Sequence, residues 1–222
     1  MISVAIDGPA GAGKSTIARA LAQRFSLVQV DTGAIYRAVA LYFLRQGLNA
    51  ADRTVVVPRL QEITVTLAFT DGGQRIFLNG EEVSGLIRTP EASMGASAVS
   101  AIPEVRAFLL EQQRQLARDN DVIMDGRDIG TVVLPDATVK IFLTATPEAR
   151  AGRRYRELLE KGTEVAFDEV LEDVKRRDYS DSTRAAAPLR QADDAILVDT
   201  SALDFDQSVE QLSDIILQKM RR

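Results

Sequence analysis

Five short apolar runs, at residues 2–6, 27–30, 122–124, 139–144 and 195–198, have the length and continuity of strands buried on both faces. Between them lie longer stretches with helical periodicity, at residues 16–25, 33–46, 147–161, 164–179 and 205–220. Gly47 stands where a helix C-terminus needs a left-handed residue. Strands alternating with helices predict an α/β fold in three layers, a five-stranded parallel sheet with helices on both faces. Residues 63–83 break this rhythm. Ile63-Thr-Val-Thr-Leu-Ala-Phe69 alternates with period two, Asp71-Gly-Gly73 supplies a turn, and Arg75-Ile-Phe-Leu78 runs back. Asn79-Gly80 is a type I′ hairpin signal ahead of Glu81-Glu-Val83, so a small antiparallel insert is expected here. No repeat, low-complexity tract or flexible linker interrupts the chain.

The first apolar run leads directly into Gly8-Pro9-Ala10-Gly11-Ala12-Gly13-Lys14-Ser15, followed by Thr16 and the first helical stretch. This is the phosphate-binding P-loop spacing in its required strand–loop–helix context. Its glycines let successive backbone N–H groups converge on phosphate oxygens, and the helix directs its positive end at the same charge. Lys14 is placed to reach the outer phosphates of a nucleoside triphosphate, and the Ser15 hydroxyl to ligate Mg²⁺.

Composition narrows what can be done with that phosphate. The 222 residues contain no cysteine and no histidine, which excludes disulfides, thiolate nucleophiles and every imidazole-based mechanism. A net charge of −5 argues against a nucleic-acid partner. No run approaches the ~20 apolar residues of a membrane span, and the first strand begins too early to leave room for a leader peptide. A reduced, cytoplasmic protein is expected, its chemistry carried by Lys, Arg, Asp, hydroxyls and a metal. Phosphoryl transfer suits that inventory, since it depends on positioning and charge neutralisation.

A kinase of small molecules also needs arginines outside the P-loop for its acceptor, and three segments offer them. Asp31-Thr32-Gly33-Ala34-Ile35-Tyr36-Arg37 opens a helix with a polar pair and brings an arginine one turn in; the same residues also suit a simple cap with a solvated arginine. Asp125-Gly126-Arg127-Asp128-Ile129-Gly130-Thr131 follows a strand, and Asp125 there suits a role holding waters on Mg²⁺. Residues 147–190 carry Arg150, Arg153, Arg154, Arg156, Arg176, Arg177 and Arg184. Acids four residues from several of these fit a solvated helix as well as a phosphate-closing lid. The Asn/Thr-Lys-x-Asp tetrapeptide by which GTPases read guanine is absent.

Together, these segments with Gly85-Leu-Ile-Arg88-Thr89, Pro135-Asp136-Ala137 and Arg184-Ala-Ala-Ala-Pro188-Leu resemble the bacterial cytidylate kinases, in order and over nearly the whole chain. Thr32 stands where that family often has serine, and either hydroxyl preserves the chemistry. The resemblance implies one P-loop kinase domain over residues 1–222. Within it, residues 32–118 form the monophosphate-binding region that carries the insert, and residues 147–188 a helical lid. It implies ATP and Mg²⁺ as cofactors and CMP and dCMP as substrates. By the same resemblance Arg37 and Arg127 hold the acceptor phosphate, and Arg184 reaches across to the site of transfer. Ser97, Arg106 and Asp128 read cytosine, Arg177 and Asp181 contact the sugar, and Arg153 and Arg154 approach the donor phosphates on lid closure. A monomer is expected, for want of any heptad seam. Two other readings stay open on the residues alone: a P-loop kinase of another acceptor such as UMP, shikimate or gluconate, and a nucleotide-gated binding protein that hydrolyses ATP slowly.

Overall fold

The structure, a computed structural model, describes residues 1–70, 73–160 and 162–220. Asp71 and Gly72 of the expected hairpin turn and Lys161 at the end of an expected helix lie outside these. In chain order the elements are β1 (Ser3–Asp7), α1 (Lys14–Phe25), β2 (Val28–Asp31), α2 (Thr32–Arg45), α3 (Arg53–Val56), β3 (Val65–Thr70), β4 (Gly73–Leu78), β5 (Glu81–Glu82), α4 (Pro90–Ser100), α5 (Pro103–Asp119), β6 (Val122–Gly126), β7 (Val139–Thr144), α6 (Pro147–Glu160), α7 (Phe167–Thr183), β8 (Ile196–Asp199) and α8 (Phe205–Met220).

Among the described residues, β2-β6-β1-β7-β8 form one five-stranded sheet, parallel throughout. The expected sheet is present, with strand ends one or two residues later than the apolar runs in four cases, β1, β2, β6 and β8. The reason is that Asp7, Asp31, Asp125 and Gly126 keep strand pairing although they are not apolar: Asp7 pairs with Gly126, and Asp31 with Asp125.

Alternate residues of each strand feed two different cores, as strand geometry requires. Ala5, Val122 and Met124 pack on the side covered by α2, α4 and α5. Val4, Ile6 and Ile123 face the other side, against Leu21 of α1 and Leu212 and Ile216 of α8. The insert is a separate antiparallel sheet in the order β3-β4-β5. Val65, Ile76 and Leu78 dock it onto the α2 side of the core. Asn79 and Gly80 both have positive φ, 50° and 87°, as a type I′ turn demands.

Helices α4 and α5 lie outside the helical stretches expected on the sequence. Their signals are local instead: Thr89 caps α4 by accepting the Ala92 N–H, and Pro90 and Pro103 occupy first-turn positions. Helix α7 starts and ends three to four residues later than expected. Ser182 and Thr183 extend it by donating their hydroxyls to carbonyls of the preceding turn. Helices α6 and α7 share a small apolar cluster of their own around Ala151, Val170 and Val174.

Candidate active site

Parallel strands deliver their carboxyl ends to one edge, and the site forms there. The ends of β1, β2 and β6 bring the P-loop, Asp31-Thr32 and residues 125–128 around a cleft of about 320 Å³. Helices α4, α5 and α7 close its far wall. Lining residues include Ala10, Gly11, Gly13, Lys14, Ser15 and Thr16 on one side, and Thr32, Arg37, Ser97, Arg106, Arg127, Asp128, Arg177, Asp181 and Arg184 on the other. Six cationic side chains meet four carboxylates there, which leaves a surplus of positive charge for anionic ligands.

On the P-loop side, Lys14 is 6% exposed and donates to the Pro9 carbonyl at 2.8 Å. Burial, and then the nearby Arg127 cation, push its ammonium well below the usual lysine range. An incoming polyphosphate relieves both costs. Ser15 donates its hydroxyl to Asp125 Oδ2 at 2.5 Å. Burial, then the charge of Asp31, raise the Asp125 carboxyl. A hydroxyl oxygen beside a carboxylate short of positive charge is a donor set that fits Mg²⁺, with phosphates and water completing the shell.

The opposite wall is built of linked ion pairs. Asp31 accepts the Ala34 N–H as the cap of α2 and pairs with Arg37 Nη2 at 2.8 Å. Capping and arginine-holding, alternatives on the sequence, are thus two jobs of one side chain. Thr32 donates to the Asp125 carbonyl at 2.8 Å. Asp181 accepts from Arg127 Nε at 2.8 Å and lies 3.8 Å from Arg184 Nη1. Arg106 pairs with Asp128, donates to the Ser100 carbonyl, and stacks over Tyr36 with its guanidinium carbon 5.4 Å from the ring centre. Burial, then Arg106, push Arg184 below the usual arginine range.

Among the described residues two buried side-chain atoms have no hydrogen-bond partner, Arg37 Nε and Arg184 Nη2. Both belong to the cleft, and an unpaired buried guanidinium N–H is costly unless a ligand accepts it.

Most of the expected site residues therefore converge; Gly8, Pro9 and Ala12 of the P-loop do not themselves line the cleft, and two arginines lie away from it. Arg153 donates to Thr200, and Arg154 pairs with Glu157; neither lines the cleft. Arg150, grouped with them on the sequence, is 3% exposed and turned into the protein. It donates to the Ala145 and Ala10 carbonyls and pairs with Asp178. Tyr36 and Ser100 line the cleft as well, and their signal was proximity in sequence to Arg37 and Arg106.

Asp7, one residue before the P-loop, has a carboxyl raised to about 6, chiefly by burial. Its folded pKa exceeds the unfolded value, so its contribution to stability is complete below about pH 4 and is lost as pH rises through 6. The expected result is a melting temperature that falls between pH 4.5 and 7 in the ligand-free protein, with a shallower fall in Asp7→Asn. Identical slopes in the two proteins would contradict this.

A P-loop facing an arginine-lined wall across a single cleft defines a phosphotransferase with separate donor and acceptor sites. The family model described as "Cytidylate kinase" matches residues 4–219. A cytidylate kinase of Carboxydothermus hydrogenoformans is 51% identical over 216 residues, 97% of each chain. One from Caldanaerobacter subterraneus is 50% identical over 217 residues, 97% of this chain and 94% of that one. The chain belongs to the cytidylate kinase family. An uncharacterized protein from Eubacterium ventriosum, 13% identical, shares the fold with a TM-score of 0.53 over 97% of this chain and 98% of its own.

Proposed function

We infer that this enzyme transfers the γ-phosphoryl group of ATP to CMP or dCMP, giving CDP or dCDP and ADP. The observation that carries the reading is the pair of unsatisfied guanidinium atoms, on Arg37 and Arg184, on the wall across the cleft from Lys14. A nucleotide-gated switch has no use for such a second anion site.

The acceptor phosphate oxygen is itself a competent nucleophile, so no general base is required. The barrier is repulsion between two polyanions, and the chain's work is to neutralise and align them. Lys14 and the backbone N–H groups of the P-loop hold the donor phosphates. Arg37 and Arg127 hold the acceptor phosphate, and Arg184 spans the gap between them. When bound, Mg²⁺ held by Ser15, and through water by Asp125, supplies further charge neutralisation at the phosphates. Asp128, Arg106 and Ser97 take the base, whose amino group needs an acceptor and whose O2 and N3 need donors. Arg177 and Asp181 take the sugar. Closure of α6 and α7 brings Arg153 and Arg154 to the donor phosphates and keeps water from the γ-phosphoryl group. The enzyme acts in the cytoplasm as a monomer; among the described residues no helix is long and apolar enough to cross a membrane.

ATP consumption is expected to depend on added pyrimidine monophosphate. Consumption at the same rate without it would overturn the kinase reading. In Asp128→Ala the preference for CMP over UMP is expected to shrink by roughly ten- to a hundredfold, while the KM for ATP stays within about twofold of wild type. An unchanged preference would remove Asp128 from base recognition.

A further inference from the structure

Asp7 is a buried carboxylate that the transfer mechanism does not use. It is 4% exposed, sits at the end of β1, and does not line the cleft. Its oxygens are nonetheless committed: Oδ1 accepts the Ile129 N–H at 2.8 Å and Oδ2 the Gly130 N–H at 2.7 Å. Those two amides begin a turn at Ile129–Val133 wound wider than an α-helix, in which Leu134 N–H reaches back to the Ile129 carbonyl at 2.7 Å. The first amides of such a turn have no partner within it, and one carboxylate satisfies both.

Asp128 is the residue immediately before that turn. Its backbone is neither helical nor extended, at φ −148° and ψ 26°. Its carbonyl accepts from Val132 and Val133, and its carboxylate pairs with Arg106. The orientation of Asp128 is thus set by where the turn begins, and Asp7 fixes that from the central strand of the sheet. Gly130 lets the turn approach this closely: a Cβ there would lie 3.2 Å from Lys140 Cδ and 3.4 Å from Asp7 Oδ2.

We propose that Asp7 is a positioning residue for base choice, clamping the Ile129–Gly130 turn so that Asp128 and Arg106 meet the acceptor base in register. This rests on the assignment of Asp128 to base recognition. Asp7 is badly placed for other roles, since both oxygens are occupied by amides and neither faces the cleft.

The test compares the full-length wild type with Asp7→Asn, whose amide accepts from one N–H and opposes the other. The measured quantity is kcat/KM for CMP and for UMP at saturating ATP and Mg²⁺, with the KM for ATP as a control. The ratio of CMP to UMP is expected to fall roughly tenfold or more, with the KM for ATP within about twofold of wild type. A purely structural role lowers both acceptors equally; equal lowering, or an unchanged ratio, overturns the proposal. If Asp7→Asn does not fold, Gly130→Ala crowds the same contact without altering a cleft-lining side chain. It is expected to shift the ratio in the same direction by a smaller factor, and an unshifted ratio there overturns the proposal equally. A wild type that uses CMP and UMP alike overturns the base-reading assignment together with this inference. A wild-type preference retained in Asp7→Asn overturns the inference alone.

Discussion

Lys14→Ala is expected to lower kcat/KM by roughly a thousandfold or more while leaving the melting temperature unchanged or slightly higher. The two halves of this prediction share one cause. In the ligand-free protein the Lys14 ammonium is buried and faces Arg127, which disfavours its charged form. Its ammonium is held by a hydrogen bond to the Pro9 carbonyl. Removing it therefore relieves a cost in the empty site, as is common where function and stability conflict. With substrates present, the same ammonium neutralises charge on the transferring group in a water-poor cleft, where each such contact is worth most. Steady-state kinetics and thermal unfolding of the purified variant check both halves. A near-wild-type rate would remove Lys14 from the reaction, and a large fall in melting temperature would make it a structural residue instead.

Gly8→Ala is expected to destabilise the fold by about 3–5 kcal/mol, a shift in melting temperature on the order of 10 °C or more. Gly8 has φ +148°, a region L side chains rarely adopt, and a Cβ there would lie 1.9 Å from the Leu143 carbonyl oxygen. Leu143 is a fully buried residue of β7. The clash is therefore with backbone inside the sheet and cannot be relieved by a rotamer change. Either β7 separates from β1 or the P-loop lifts, and both outcomes also reduce ATP affinity. Thermal unfolding decides the matter: a loss below about 1 kcal/mol would show that the loop yields cheaply.

The sheet and the donor site were legible in the sequence because both obey local rules. A strand buried on both faces is a continuous apolar run, and the P-loop is one contiguous stretch whose backbone does the binding. The acceptor wall is a different kind of object. Charge spacing left Arg184 and Arg177 indistinguishable from surface arginines, and resemblance to a family was needed to single them out. What separates Arg184 from Arg176, which stays exposed beside Asp173, is burial against Ser100 of α4, a helix of weak apolar rhythm that announces itself only by Thr89 and Pro90. Arg150 shows the converse. It has the charge of a phosphate ligand, yet the carbonyls of Ala10 and Ala145 and the carboxylate of Asp178 take up its guanidinium, contacts up to 140 residues apart in the chain. Asp7 carried no signal beyond standing next to the P-loop, because its partners are backbone amides 122 and 123 residues away.

The acceptor specificity is read directly by an assay of ADP release with ATP and Mg²⁺ against CMP, dCMP, UMP, AMP, GMP and shikimate. Fast turnover is expected with CMP and dCMP, weak turnover with UMP and none with the others. ADP release indifferent to every acceptor, or fastest with shikimate or a purine monophosphate, would contradict it.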